Sequence, residues 1–377
     1  MPLDCLTLLV PELLWPEPED HEALDRLECP GLTRLLARGR FSRAERQSVE
    51  AALMGLFGYV AAGVTHTAHT ACGAFRLRGE PVSEVPAEAA TARWIIADPV
   101  HLRFNRDRLL LAGGAALNIA PEEAAALVDG LNHYFADLGV FHTACAERWY
   151  LRLADGVDEY ARHALERLDA PPLSAVAGRS VEHVLEEIIE EREIRKLLNE
   201  IQTFLHAHPV NRRREESNLA TINSLWLWGG GTPPPTSPST DFDSAWSNDP
   251  LTRGLALAAN LPARALPESA DALFANPPPG TRPLVVLGDL AEPVCYENSA
   301  DYRQSLAALE TRWFAPVWRA LATGAIGRLR LVAPTTYGTL SWEASRSAPW
   351  CFWRRPQTLA ETVAALIRHK ERYQNEI

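Results

Sequence analysis

Paired cysteines are absent from this sequence. The six present, Cys5, Cys29, Cys72, Cys145, Cys295 and Cys351, stand singly and never at CxxC spacing. Neither a disulfide framework nor a structural zinc site is therefore expected, and a reduced cytoplasmic setting fits. Positive charge is scarce as well. A formal net charge of -11 argues against a general nucleic-acid or anionic-membrane binder, both of which need a basic face, and leaves room only for a local basic patch. There is no long acidic tail, and no apolar run has the length of a membrane span. The opening MPLDCLTLLVPELLWPEPED has no basic leader segment or cleavage site, and prolines interrupt it early. What the chain does have is length and apolar content. Its 377 residues, 47% of them hydrophobic, exceed what one core usually organises, so two domains are expected.

Signals concentrate between residues 197 and 231, LLNEIQTFLHAHPVNRRREESNLATINSLWLWGGG. An apolar helical face runs through Leu198, Ile201 and Leu205. Pro209 is expected to stop that helix, because proline has no amide donor and restricts His208 before it. Asn211, Arg212, Arg213 and Arg214 then follow at the turn, with forked donors of the kind that grip carboxylate or phosphate. Asn223 leads SLWLW, a buried strand ending in Gly229, Gly230 and Gly231, where backbone can approach a ligand closely. As a ligand site the set is His208, Asn211, Arg212, Arg213, Asn223, Gly229 and Gly230. The same residues read equally as a solvated arginine cluster and a loop.

Elsewhere the pattern alternates between strands and helices. Residues 6–10 read as a buried first strand, and a helix follows from about residue 22 to Gly39. Residues 48–58 read as a helix for which Ser48 is a cap ahead of any nucleophilic role. His66 and His69 can share a helical face, yet no carboxylate stands beside them at helical spacing, so no metal role is expected. A Pro/Glu/Ala-rich linker at 80–91 leads to strands at 95–97, 109–111 and 148–153 and a helix at 121–138. That helix has Pro121 in its first turn, Glu122 and Glu123 on the dipole, and Leu127, Leu131 and Phe135 on one face. A long amphipathic helix begins at Ser180. TPPPTSPSTD is a loop, PLVVLG and residues 329–333 are strands, and Thr358 with Glu361 forms a capping box for the last helix.

The order of helix, His-Pro-Val-Asn turn with arginines, and Asn-strand-glycine segment resembles the archaeal-type cofactor-independent phosphoglycerate mutases of the alkaline phosphatase superfamily. The likeness extends back to LFGY within 48–59 and to the glycines of 73–79. It continues through 97–153, where FNRDRL, PEEAAALVDGLNHYF and RWYLRL resemble that family's inserted substrate domain. A nearer likeness is to bacterial proteins catalogued as RpfE-type regulatory proteins. The resemblance implies an alkaline-phosphatase-like α/β fold. It has a doubly wound, mostly parallel sheet in a discontinuous core, 1–79 and 180–377, with a smaller α+β unit inserted at 80–179.

The family's catalytic residues are mostly replaced. Pro11 and Glu12 stand where it has an Asp-Gly pair, and its nucleophilic serine falls on Val49, beside Ser48, with Glu50 for the neighbouring aspartate. Asp289 and Glu292 follow PLVVLG, with Pro293 where a histidine is due. Pro334, Thr335 and Thr336 replace an Asp-His pair, and Arg346-Ser347 a His-Ser pair. Two-metal phosphoryl transfer needs clustered carboxylates and imidazoles, so the resemblance implies a degenerate member without a cofactor. That protein would be a catalytically inactive sensor of a small anionic phospho-metabolite, or a regulatory protein, with no nucleic-acid or membrane partner. Ser48 remains the candidate nucleophile, and Glu12, Glu50, Asp289 and Glu292 the candidate metal ligands. One alternative is an active phosphoglycerate mutase or phosphohydrolase with a relocated Mn or Zn site, using His206 and His208. Another is a structural protein that binds a protein partner, favoured by eleven Trp residues, among them Trp342, Trp350 and Trp353 near the C-terminus.

Overall fold

The apolar runs of the sequence are dealt into two sheets, and this division defines two units. The computed structural model describes residues 2–17, 20–59, 71–81, 92–166, 168–231, 240–275 and 281–374. Its strands are β1 (Leu3–Leu9), β2 (Arg40–Ala44), β3 (Trp94–Asn105), β4 (Arg108–Gly113), β5 (Gly139–Cys145) and β6 (Arg148–Leu153), then β7 (Ser224–Trp228), β8 (Ser244–Trp246), β9 (Ala263–Arg264), β10 (Pro283–Val286), β11 (Ile326–Thr335) and β12 (Gly338–Ser345). Unit 1 comprises Met1–Ala52 and Ser239–Ile377, and unit 2 comprises Leu53–Pro238.

Unit 1 holds a seven-stranded sheet in the order β2-β12-β11-β1-β10-β8-β9. The run from β11 to β9 is parallel, and β12 and β2 are antiparallel additions at one edge. The sequence supports this, because β1 and β10 are nearly continuous apolar runs, as strands covered on both faces must be. Leu8 sits between Val285 and Leu331 and is fully buried. On one face, Leu32 and Leu35 of the helix Pro30–Arg38, Leu306 and Leu309 of Ser299–Leu309, and Val317 and Leu321 of Ala315–Thr323 share a core with Leu6, Leu8 and Leu331. Pro30 opens its helix, and the first free amides are met from a distant element. The Glu310 carboxylate accepts from Gly31 N at 2.6 Å and Leu32 N at 3.0 Å, which places a negative charge on the helix N-terminus. Gly31 permits that approach, since a Cβ there would lie 2.6 Å from Ala315 N.

Unit 2 holds an antiparallel sheet, β4-β3-β6-β5, with β7 also paired to β3. One face carries Ile95, Ala97, Leu151, Leu225 and Leu227. It packs on Leu127 and Leu131 of the helix Pro121–Tyr134 and on Ile194, Ile201 and Leu205 of Arg192–Ala207. SLWLW therefore belongs to this unit. It runs antiparallel to β3 with Ala97 opposite Leu227, and Arg192–Ala207 spends its apolar face on the same core. For that reason the unit runs from Leu53 to Pro238 and not over 80–179. The helix expected from Ser180 is two helices, Glu182–Glu190 and Arg192–Ala207, divided where Glu191 takes an extended conformation. Among the described residues no helix is long and apolar enough to cross a membrane.

Candidate functional site

In a parallel sheet the strand ends at the carboxyl edge are where ligands and catalytic groups gather. In unit 1 those ends carry Glu12 after β1, Asp289 after β10 and Thr335 closing β11. Glu12 adopts a left-handed backbone with φ 52°, and its amide donates to Pro334 O at 2.9 Å. Its carboxylate lies near two phenols. Burial, with Glu12 and Glu17 adding to it, pushes the Tyr337 hydroxyl up to about 12. Tyr302 is raised by burial first and by nearby Cys29 and Glu12 after it. Both phenols are used to hold the loop after β1. Tyr302 donates to Leu13 O at 2.7 Å, and Tyr337 to Trp15 O at 2.8 Å and Pro16 O at 3.1 Å. Thr335 Oγ1 accepts from Tyr337 N at 3.1 Å and donates to Gly338 O at 3.0 Å, closing the hairpin into β12.

The other candidate carboxylates do not converge on Glu12. Asp289 is half exposed and pairs with Arg312 at 3.2 Å. Glu292 is exposed on the short helix Ala291–Cys295. Ser48 Oγ accepts from Ala51 N at 3.1 Å, which is the hydrogen bond of an N-cap, and Glu50 is half-buried in the first turn of Val49–Leu56. Among the described residues no group of three or more His, Cys, Asp or Glu side chains is placed to hold a metal ion. His206 is exposed. His66 and His69 lie outside the described residues. Among the described residues of unit 1, the donor set does not fit a two-metal centre.

The His-Pro-Asn-Arg segment in unit 2 differs from the turn expected of it. Pro209 starts a helix, Pro209–Glu216, and His208 Nδ1 caps it by accepting from Val210 N at 3.3 Å. Burial, and then the Arg213 charge, lowers the His208 pKa. Helical geometry turns Val210, Asn211 and Arg214 inward and leaves Arg212 and Arg213 exposed. Asn211 spends its whole amide on the fold: Nδ2 donates to Leu205 O and Ile222 O, both at 2.7 Å, and Oδ1 accepts from Ile222 N at 2.8 Å. Asn223 does the same against β3, bonding Leu102 N and O at 2.8 Å.

Arg214 is 1% exposed. It pairs with Glu123 and donates to the carbonyls of Leu117 and, at 2.7 Å, Ala220. Gly229 and Gly230 serve close packing. Their carbonyls accept from Gly73 N at 2.8 Å and Ala71 N at 3.1 Å. A Cβ on Gly229, whose φ is 64°, would lie 3.0 Å from the Cys72 Cβ. The asparagines and glycines expected to face a ligand are structural, and no inward fork forms from Arg212 and Arg213.

The most polar buried constellation was not among the expected sites. Arg76, on the helix Cys72–Gly79, makes a bidentate pair with Asp98 of β3 at 3.0 and 2.5 Å, and donates from Nε to the Tyr150 hydroxyl at 2.8 Å. Tyr150 donates to Glu80 Oε1 at 2.5 Å, and Glu80 takes a second bidentate pair from Arg148 at 2.7 and 2.8 Å. Trp228 Nε1 also donates to Asp98, at 3.1 Å. Burial works against charge on Arg76, but Asp98 and Tyr150 beside it raise its pKa on balance, while Tyr150 is raised chiefly by burial. Two cations and two carboxylates compensate one another, so the network adds rigidity without leaving an uncompensated charge for an anion. Its faint trace in the sequence is Asp98, a carboxylate within the apolar strand segment IIADPV.

No family model matches the chain. In sequence it is similar to 2,3-bisphosphoglycerate-independent phosphoglycerate mutase 2 of Methanothermobacter thermautotrophicus, 30% identical over 125 residues, which is 33% of this chain and 29% of that protein. It is also similar to the 2,3-bisphosphoglycerate-independent phosphoglycerate mutase of Methanosarcina barkeri, 28% identical over 161 residues, 41% of this chain and 38% of the relative. At this low identity the chain is similar to phosphoglycerate mutases. Its match spans well under half the length of either one. In structure it resembles the PH0037 protein of Pyrococcus horikoshii at a TM-score of 0.53 and 14% identity, over 92% of this chain and 88% of the other. That likeness shows the fold, a mostly parallel α/β sheet accompanied by an antiparallel one.

Proposed function

We propose that this chain is a phosphoglycerate-mutase-like protein that works by binding, as a sensor of a small anionic metabolite or as a regulatory protein, and not by two-metal phosphoryl transfer. The observation that supports this is the dispersal of the would-be metal carboxylates. Asp289 is engaged by Arg312, Glu292 faces solvent, and Ser48 serves as a cap. Metals that activate a nucleophile need those groups converging on one point. For an anion, unit 2 offers Arg213 together with Arg212, whose Nη2 also donates to Ala207 O at 2.8 Å, on the exposed side of their helix beside a His208 held toward its neutral form.

Metal analysis of purified protein with a coupled mutase assay tests the first half. The expected result is no stoichiometric Mn or Zn and no turnover above background. Two bound ions with turnover lost in Ser48→Ala would instead restore an active mutase or phosphohydrolase with a relocated site. Calorimetric titration with phosphorylated three-carbon acids at fixed salt tests the second half. Arg212→Ala should weaken binding about tenfold, and equal or absent binding in both proteins removes the anion. A second reading, partner binding, is favoured by Trp350, Phe352 and Trp353, which are 73%, 76% and 68% exposed.

A further inference from the structure

The exposed aromatics lie on the segment between β12 and the last helix, Leu359–Gln374, and this segment is tied to the β2 side of unit 1. Arg38, at the end of the helix Pro30–Arg38, donates from Nη1 to Pro349 O at 2.8 Å, and Arg354 donates back to Arg38 O at 3.5 Å. The aromatic residues are thus displayed by a held loop. Two residues after Trp353, Arg355 enters the wall of a groove of about 440 Å³. Leu36, Phe41, Trp342 and Leu366 supply its apolar lining and Arg43 its second cation. Phe41 is 45% exposed although its ring packs, tilted, against Trp342 at 5.3 Å. No carboxylate lines the groove among the described residues. Nearby, residues 33–46 and 346–355 contribute Arg34, Arg38, Arg40, Arg43, Arg46, Arg346, Arg354 and Arg355 against Glu45, and Glu343 of β12 lies opposite Arg40. In a chain of net charge -11, that is a local reversal of sign.

We infer that this groove and the β2 edge form a docking site for an acidic segment of a partner protein that carries an apolar or aromatic anchor. Three features select that occupant. The apolar lining calls for an anchoring side chain, as binding hot spots do. The arginines call for carboxylates, which forked guanidinium groups hold in pairs. As the last strand of its sheet, β2 offers a backbone edge that an extended segment can join. Arginines along that edge repel a second copy and admit an acidic strand, so the charge that deters self-association also selects the partner. A flat bilayer could meet the aromatic tip, but it could not enter the groove or pair with the strand edge.

The inference deepens the partner-binding reading, and it fails separately from the proposal of a metal-free, inactive protein, which the metal and mutase assays decide. The test uses the full chain and a panel of fluorescein-labelled ten-residue peptides of alternating Asp or Glu with Leu, Phe or Trp. Matched peptides carry Asn or Gln in place of each acid. Anisotropy should show binding of acidic peptides that weakens with salt and falls about tenfold or more for the neutral set. Arg43→Glu combined with Arg355→Glu, and separately Phe41→Ser, should abolish it while circular dichroism and thermal melting stay unchanged. Trp350→Ala leaves the groove intact and should retain most of the groove binding. Equal binding of acidic and neutral peptides, or no binding by any member of the panel, overturns the proposal. So does binding of vesicles rich in anionic phospholipid without peptide binding, or sedimentation showing a dimer that Phe41→Ser dissolves.

Discussion

Replacing Arg214 by alanine should cost the fold far more than the same change at its two neighbours. The guanidinium is 1% exposed, paired with Glu123, and bonded to the carbonyls of Ala220 and Leu117. Its removal strands a partly buried carboxylate, 22% exposed, and two carbonyls. Breaking a buried pair by deleting one partner costs about 3–5 kcal/mol. In a unit of this size that corresponds to a loss of roughly 6–20 °C in melting temperature. Arg212 and Arg213 are exposed, and alanine at either should fall within about 0.5 kcal/mol of wild type. Differential scanning calorimetry of the three single variants measures the contrast directly, and a Glu123→Gln variant should recover part of the loss when combined with Arg214→Ala. If Arg214→Ala melts within a degree or two of Arg212→Ala, the reasoning about this helix is wrong, and the arginine to be sought as a ligand group is Arg214 itself.

Asp98→Ala should also destabilise by about 3–5 kcal/mol in urea titration, because it leaves the Arg76 charge buried; a loss under 1 kcal/mol would mean that water reaches Arg76. Gly73→Ala should cost about 1–3 kcal/mol, since the new Cβ would stand 2.5 Å from the Trp94 carbonyl oxygen, and overpacking against backbone cannot relax cheaply. Stability should decline on the alkaline side. Tyr302 and Tyr337 hold their protons more tightly in the folded state than their ordinary value of 10, so their contribution is complete below pH 10, and the share of Tyr337 is lost as pH rises through about 12. Urea midpoints across that window should fall less steeply in Tyr337→Phe than in wild type, and parallel slopes would contradict the assignment.

Much of the local structure was legible because it depends on neighbours in sequence. Residues 148–153 form the strand that their alternation predicts, and Thr358 and Glu361 make both hydrogen bonds of the capping box, at 2.8 and 3.1 Å. Ser48 is the cap that its residue type favours. What failed depended on distant partners. SLWLW is a buried run, and periodicity cannot say which sheet a buried run joins; pairing with β3 more than a hundred residues earlier decides it. The arginine run was read as a turn after Pro209, whereas proline at a first helical position starts a helix. The i, i+4 geometry then buries Val210 and Arg214 together. The Arg76 network left only the trace of Asp98 for the same reason, as its hydrogen-bonded partners stand 22 to 130 residues apart.

The order of strands also governs how this protein is made. β1 is the central strand of its sheet, flanked by β10 and β11, and Leu6, Leu8 and Leu9 are fully buried between them. During synthesis the whole of unit 2 and much of unit 1 must emerge first, so β1 waits for about 270 residues before β10 is available. At ordinary ribosomal rates of 5–20 residues per second that is roughly 14–55 s. Unit 2 is uninterrupted in sequence and can finish folding within that interval, while LDCLTLL remains an apolar strand with both edges open, the kind of segment that aggregates or recruits chaperones. A nascent chain stalled far enough past residue 238 for β7 to clear the ribosome should therefore present a folded unit 2 together with a chaperone-accessible β1.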